Sequence, residues 1–416
     1  SDQTPEKSEG KKNMGLAAFR RRDFRYFFFG KAFASFSLHM VMVAITYQVY
    51  DLTGDPMNLA YIGLSIFAPA FGFALVTGYV ADQFDRRFVL AMCYLVMMAS
   101  AVLLALFSIS GSTEVWPVFL ILVLFGTGRA FYQPTSNALV PNLVPPEEFP
   151  NAVAWNTTAN KLAAICGPAL GGFLYLLGPE FVYEVSAVVL VMASVTVLMI
   201  KTRIAREGRG PITMEVLFAG VAYVFEKKVI LGAITLDLFV VLLGGATALL
   251  PVFAKDILDV GAGGAGLLRA AIAVGGISTA LVLTQITLTR AAGRIMFITV
   301  FIFGLATITF GLSSWFALSL LAMFVLGASD MVSVYIRQTL IQLATPDEKR
   351  GRVSAVNSIF INTSNEIGEF RAGVMAAWLG AVPAVVIGGV GSVIIAGLFW
   401  RLFPDLAKVE RVDRTM

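Results

Sequence analysis

Six bases and five acids stand inside long apolar runs of this chain: Lys31, Arg129, Lys161, Arg269, Arg337 and Arg371, with Glu184, Asp237, Asp330, Glu366 and Glu369. His39, the one histidine, is in the same setting. An ionised group at the centre of an apolar span costs at least ~2.5–3.5 kcal/mol. Charges in this number demand a water-filled cavity, mutual pairing, or both. Helical spacing predicts where they point. Asn362, Glu366, Glu369 and Gly373 fall on one stripe, Arg129, Gln133 and Ser136 on another, and Thr157, Asn160 and Lys161 form a polar patch beside Asn156. Asp330, Ser333 and Arg337 share a face, but Asp330 and Arg337 are two turns apart, about 10 Å at 1.5 Å per residue. Each therefore needs a partner on another helix. The alternative use of any one of these charges is an ion pair that fixes packing.

The elements that position these groups follow from composition. The chain is 57% hydrophobic and 14% charged, with a mean hydropathy of +0.80, whereas a soluble domain carries about 25% charged residues. Lipid is the expected solvent, and the chain is best divided into spans of roughly 20 residues. Twelve are predicted, starting near Phe27, Asn58, Phe88, Trp116, Ala152, Val182, Val229, Gly263, Ile295, Trp315, Val353 and Val382. The expected fold class is an all-α membrane protein of twelve transmembrane helices in two parallel six-helix halves. Its expected parts are a basic N-terminus (1–26), a first half (27–202), a connector with an interfacial helix (203–228), a second half (229–403) and a tail (404–416). Of the 31 Lys and Arg, six lie within spans, Lys255 falls on one side, and the rest crowd the other. Positive loops favour the cytoplasm, so both termini are expected there.

The halves repeat. Leu143-Val-Pro-Pro-Glu-Glu148 aligns with Leu343-Ala-Thr-Pro-Asp-Glu348, and Gly126 and Gly327 occupy similar places upstream. A parallel repeat of six spans is a transporter plan. Other chemistries find no support. One histidine and two separated cysteines, Cys93 and Cys166, make no zinc cluster. Gly261-Ala-Gly-Gly-Ala-Gly266 follows no strand, so it reads as a flexible turn rather than a nucleotide loop. Neither a cofactor nor a metal is expected, and the chain is read as no enzyme.

Several motifs carry a resemblance. Gly78-x-x-x-Asp82-x-x-Asp-Arg86-Arg87 resembles the loop between spans two and three of the major facilitator superfamily, with Gln83 where a base is usual. Cys166-Gly167-Pro168-Ala-Leu-Gly171-Gly172 is similar to that superfamily's antiporter motif, and Gly128-Arg129 with Gln133 to its span-four arginine motif. Tyr50-Asp-Leu-Thr-Gly54 and Asn365-Glu-Ile-Gly-Glu-Phe370 resemble the drug:proton antiporter branch that contains enterobactin-exporter-like and macrolide-efflux-like proteins. The resemblance implies proton-coupled efflux of a small amphipathic or anionic compound by alternating access. On that expectation Arg129, Gln133, Asn160, Lys161, Arg337 and Arg371 bind substrate, while Glu366, Glu369, Asp330, Asp237 and His39 handle protons. Gly78, Asp82, Arg86 and Arg87 form a conformational latch, and Gly167, Pro168, Gly171 and Gly172 the antiporter motif. The expected partners are substrate, protons and lipid, with no nucleic acid, around a monomer. The alternatives are a lipid or lysophospholipid transporter and a non-transporting sensor or assembly protein.

Overall fold

The computed structural model describes residues 17–73, 76–77, 80, 83–202, 221–285 and 291–408, and among them there is no strand. The first long helices are α1 (Arg22–Thr53), α2 (Met57–Gly72), α3 (Arg86–Ile109), α4 (Trp116–Leu139), α5 (Phe149–Leu174) and α6 (Pro179–Leu198). They are followed by α7 (Lys228–Gly244), α8 (Gly261–Gln285), α9 (Ala292–Leu312), α10 (Phe316–Leu343), α11 (Asp347–Leu379) and α12 (Ala381–Leu402). A helix thus begins within a few residues of every expected span start. Among the described residues, nine helices are long and apolar enough to cross a membrane: α1, α3, α5, α6, α7 with its following turns, α8, α9, α10 and α12. Helix α2 is apolar but shorter. Helices α4 and α11 carry more polar residues, several of them the charges singled out above.

Local chemistry sets the ends. Gly54 closes α1 in the left-handed conformation (φ 62°), its N–H bonding the Tyr50 carbonyl at 2.8 Å, a common helix stop that glycine adopts without strain. Asp85 caps α3 by accepting from the Arg87 backbone N–H at 3.0 Å. Glycine-rich Gly261–Gly266 is the correction to the sequence reading: it forms the start of α8, not a turn. Helix propensity in water disfavours glycine, but close helix contact within a membrane rewards the missing Cβ.

The packing repeats itself. Helix α1 packs on α5 and α6, α2 on α4, and α3 on α4 and α6. Six helices later, α7 packs on α11 and α12, α8 on α10, and α9 on α10 and α12. The repeat extends to single residues. A Cβ on Gly126 of α4 would strike the backbone of Ile66 of α2, and one on Gly327 of α10 would strike Ile272 of α8. The two groups of helices meet along α5 with α8 and α2 with α11.

Large apolar side chains cover much of the outside, including Phe71, Phe88, Leu106, Leu120, Leu321 and Ile394. Outside these, backbone polar groups are tied up within helices, as lipid requires. The face bearing the start of α1 and the end of α12 is termed the terminal face, and its opposite the distal face. Exposed Trp116, Trp315 and Trp378 mark helix ends on the distal face, where amphipathic rings suit a membrane–water boundary.

Candidate functional site

Helix α5 is held by its small residues. A Cβ on Gly167 would meet the His39 Cβ of α1, and one on Gly171 the backbone of Met40. On the other side, Gly172 abuts the Ala262 carbonyl of α8, and Gly266 abuts that of Pro168. Gly167-Pro168-x-x-Gly171-Gly172 therefore lets α5 lie tightly between α1 of its own group and α8 of the other. The α5–α8 approach is at the distal ends of both helices.

A polar cluster that the sequence did not disclose closes the same face. Lys255 Nζ pairs with Asp51 Oδ1 at 2.6 Å and donates to the Asp51 carbonyl at 3.2 Å. The Tyr50 hydroxyl donates to Asp256, and Lys255 lies 6.0 Å from the Tyr50 ring centroid. Lys255 and Asp256 belong to a π-helical turn, Phe253–Ile257, that follows α7. Such turns are frequent at functional positions. The one signal in the sequence was that Lys255 stood alone on its side.

At the terminal face, Arg86 Nη1 donates to the Ala138 carbonyl (2.9 Å) and Asn142 Oδ1 (2.8 Å) beyond α4. Arg87 forks onto Asp85 (2.6 Å) and reaches the Ile200 carbonyl past α6 (2.6 Å). These bonds join α3, α4 and α6 within the first group. The Arg87 guanidinium also holds the Asp85 carboxyl below its ordinary pKa. Gly78 and Asp82 lie outside the described residues, as does the connector over 203–220. An open groove here is lined by Arg21, Arg22, Asp23, Asn142 and Thr202. Its charges are largely answered: Arg21 pairs with Glu148 at 3.2 Å, and Asp23 accepts from the Thr202 N–H at 2.7 Å. It is separate from the mid-helix charges.

Those charges sort into three settings. Arg337 of α10 and Asp237 of α7 form an ion pair inside the second group, their side chains only 3% and 9% exposed. Arg371 of α11 is turned onto the end of α7, donating to the Leu242 carbonyl at 2.8 Å and to the Leu243 carbonyl, with Met375 sulfur beside it. The last carbonyls of a helix lack intrahelical partners and carry partial negative charge, so the guanidinium serves as a cap. The third setting joins the groups. Arg129 Nη2 of α4 is 3.6 Å from Glu366 Oε1 of α11, with Arg129 44% exposed. Beside it, within the second group, Thr247 Oγ1 donates to Glu369 at 3.1 Å. Lys161 lies within electrostatic reach of Asp330, Arg269 within reach of Glu366, and His39 within reach of both Arg269 and Arg129. Gln133 is exposed and Asn160 half-buried on the same two helices as Arg129 and Lys161.

Solved transporters share this architecture. A bacterial homologue of the human lysosomal transporter Spinster, in an inward-facing and unoccupied conformation, superposes with a TM-score of 0.68 at 14% identity, covering 95% of this chain and 99% of that one. A POT family transporter in complex with 5-aminolevulinic acid gives 0.72 at 13% identity, covering 93% and 97%. Two repeated helix groups around a charged interior thus define a multi-pass membrane protein of the major facilitator fold. The chain belongs to the family described as transmembrane secretion effector, whose model matches residues 13–415. Among its relatives is the MFS-type transporter YvqJ of Bacillus subtilis (strain 168), 25% identical over 94% of this chain and 95% of that protein. The enterobactin exporter EntS of Citrobacter koseri is 23% identical over 93% of each. Macrolide efflux protein A of Streptococcus pyogenes is 26% identical, but over 41% of this chain and 43% of that protein.

Proposed function

We propose that the protein is a proton-coupled exporter of a small, ionisable amphipathic compound, siderophore-like or drug-like, working by alternating access in a bacterial inner membrane. The observation that carries this reading is the Arg129–Glu366 pair, which bridges the two helix groups at mid-helix while leaving the Arg129 side chain 44% exposed. Residues 27–202 and 229–403 serve as rocking halves, with 203–228 as connector and the termini in the cytoplasm. The close α5–α8 contact and the Lys255–Asp51 pair favour an arrangement closed at the distal face. Efflux as the direction is supported by the named functions of the macrolide and enterobactin relatives.

In this reading Arg129, Lys161, Gln133 and Asn160 meet the substrate, while Glu366, with Glu369, Asp330 and His39, exchanges protons. Asp237, Arg337 and Arg371 are assigned to architecture, and Arg86 and Arg87 to bracing the first half beside the loop of Gly78 and Asp82. Purified protein in proteoliposomes, given an imposed pH gradient and a panel of siderophores and drugs, tests the proposal. The expected result is gradient-driven flux that Glu366→Gln abolishes. Flux that continues undiminished without a proton gradient would sink the coupling.

A further inference from the structure

We infer that the compound carried is amphoteric, with an anionic group held by the first half and a cationic group held by the second. The inference rests on the transporter reading above and names the substrate class of the same site. Four bases, Arg129, Lys161, Arg337 and Arg371, are among the substrate contacts expected from the sequence. Two of them face elsewhere: Arg337 is buried against Asp237, and Arg371 caps α7. Arg129 and Lys161 remain, both on first-half helices. The acids around them, Asp330, Glu366 and Glu369, are all on second-half helices α10 and α11. Arg269 of α8 is the second-half cation near Glu366, so the interior has no large excess of either sign. Arg269 apart, what it has is a separation of sign by half.

That separation decides which occupant fits. A monoanion taking Arg129 displaces Glu366, 19% exposed, and leaves its carboxylate without the Arg129 contact. A monocation taking Glu366 leaves Arg129, which cannot lose its proton, without that contact in turn. A compound carrying both charges replaces each partner with a group of the same sign and strands neither. The bridging pair suits exchange. At 3.6 Å it is longer than a direct charge-assisted hydrogen bond of about 2.7–2.9 Å, and Arg129 is 44% exposed, so a ligand can reach it.

The test uses three dansyl probes on one scaffold, bearing a carboxylate only, a quaternary ammonium only, or both. Binding is followed by fluorescence with the full chain in nanodiscs, and flux in proteoliposomes. The doubly charged probe is expected to bind about tenfold or more tightly than either single one, the worth of one charged contact. Arg129→Gln and Glu366→Gln should each cost it a similar factor, with Arg129→Lys recovering part of the loss. The carboxylate-only probe should bind Glu366→Gln as well as, or better than, the parent chain. Equal binding by the carboxylate-only and doubly charged probes overturns the inference, and so does binding of none. If singly charged probes bind equally and are transported, the transporter reading stands without it. Tight, doubly selective binding without flux upholds the site and sinks the transporter reading instead. Monodisperse elution of each variant separates lost binding from lost fold.

Discussion

Replacing Asp237 by leucine should destabilise the second half severely, and replacing Arg337 by methionine as well should restore most of the loss. The side chains are 3% and 9% exposed, so neither finds water when its partner is gone. Arg337 is already demanding, since its Nε has no hydrogen-bond partner among the described residues. Breaking a buried pair by removing one member typically costs about 3–5 kcal/mol, whereas replacing both members by apolar groups is often near neutral. A membrane offers the opened helices some alternative partners, which argues for the lower end, about 3 kcal/mol. That still exceeds a hundredfold in the folding equilibrium. The assay is a double-mutant cycle on thermal and denaturant unfolding of nanodisc-embedded protein, comparing Asp237→Leu, Arg337→Met and the two together. Transport by the stable double variant should remain close to that of the parent. Single variants as stable as the parent, or a double variant as damaged as the two singles summed, would refute the reasoning.

At the distal face, Gly172→Val should hold the halves apart, because a side chain there meets the Ala262 carbonyl; spin labels at Leu176 and Leu312 should report a longer distance. Lys255→Gln should loosen the same face only slightly. Its pair with Asp51 is 34% and 47% exposed, and pairs in that setting contribute at most about 1 kcal/mol. A few-fold faster maleimide labelling of a cysteine at buried Ala265 would show it, and no change in Lys255→Gln combined with Tyr50→Phe would contradict a closing role. At the terminal face, Asp85 is held below its ordinary pKa by Arg87. Its contribution is therefore fully present above the unfolded value of about 3.9 and is lost as pH falls through the lower folded one. Asp85→Asn should flatten the acid limb of a melting-temperature profile, and Arg87→Gln should match it.

Helix positions and the repeat were legible because lipid imposes them. A span must be long and apolar, and two copies of one packing scheme place Gly126 and Gly327 against matching neighbours. The Gly261–Gly266 stretch misled because propensity in water is the wrong scale for a helix whose glycines touch α5. Charged stripes told which faces were polar, but not which neighbour each face meets. The expected substrate contacts grouped Arg337 and Arg371 with Arg129, although the former two are directed into their own half. Lys255 and Asp51, 204 residues apart, leave no local pattern at all. Only the fold brings them together.

Exposure sorts the ion pairs into those that hold and those that exchange. A pair that breaks in every cycle cannot be deeply buried, since each opening would strand two charges at several kcal/mol. The pair within the core of one half, Asp237–Arg337, is nearly dry. Among the described residues, the two that cross between halves, Arg129–Glu366 and Lys255–Asp51, each have one side chain more than 40% exposed and a partner that is also partly exposed. Water can take up either member when the halves part, so the opening cost falls toward the about 1 kcal/mol of surface pairs. Deep burial of the crossing pairs would freeze the molecule, and exposure of Asp237–Arg337 would loosen one half internally. The sites of burial thus match the division between rigid half and moving interface that the repeated packing defines.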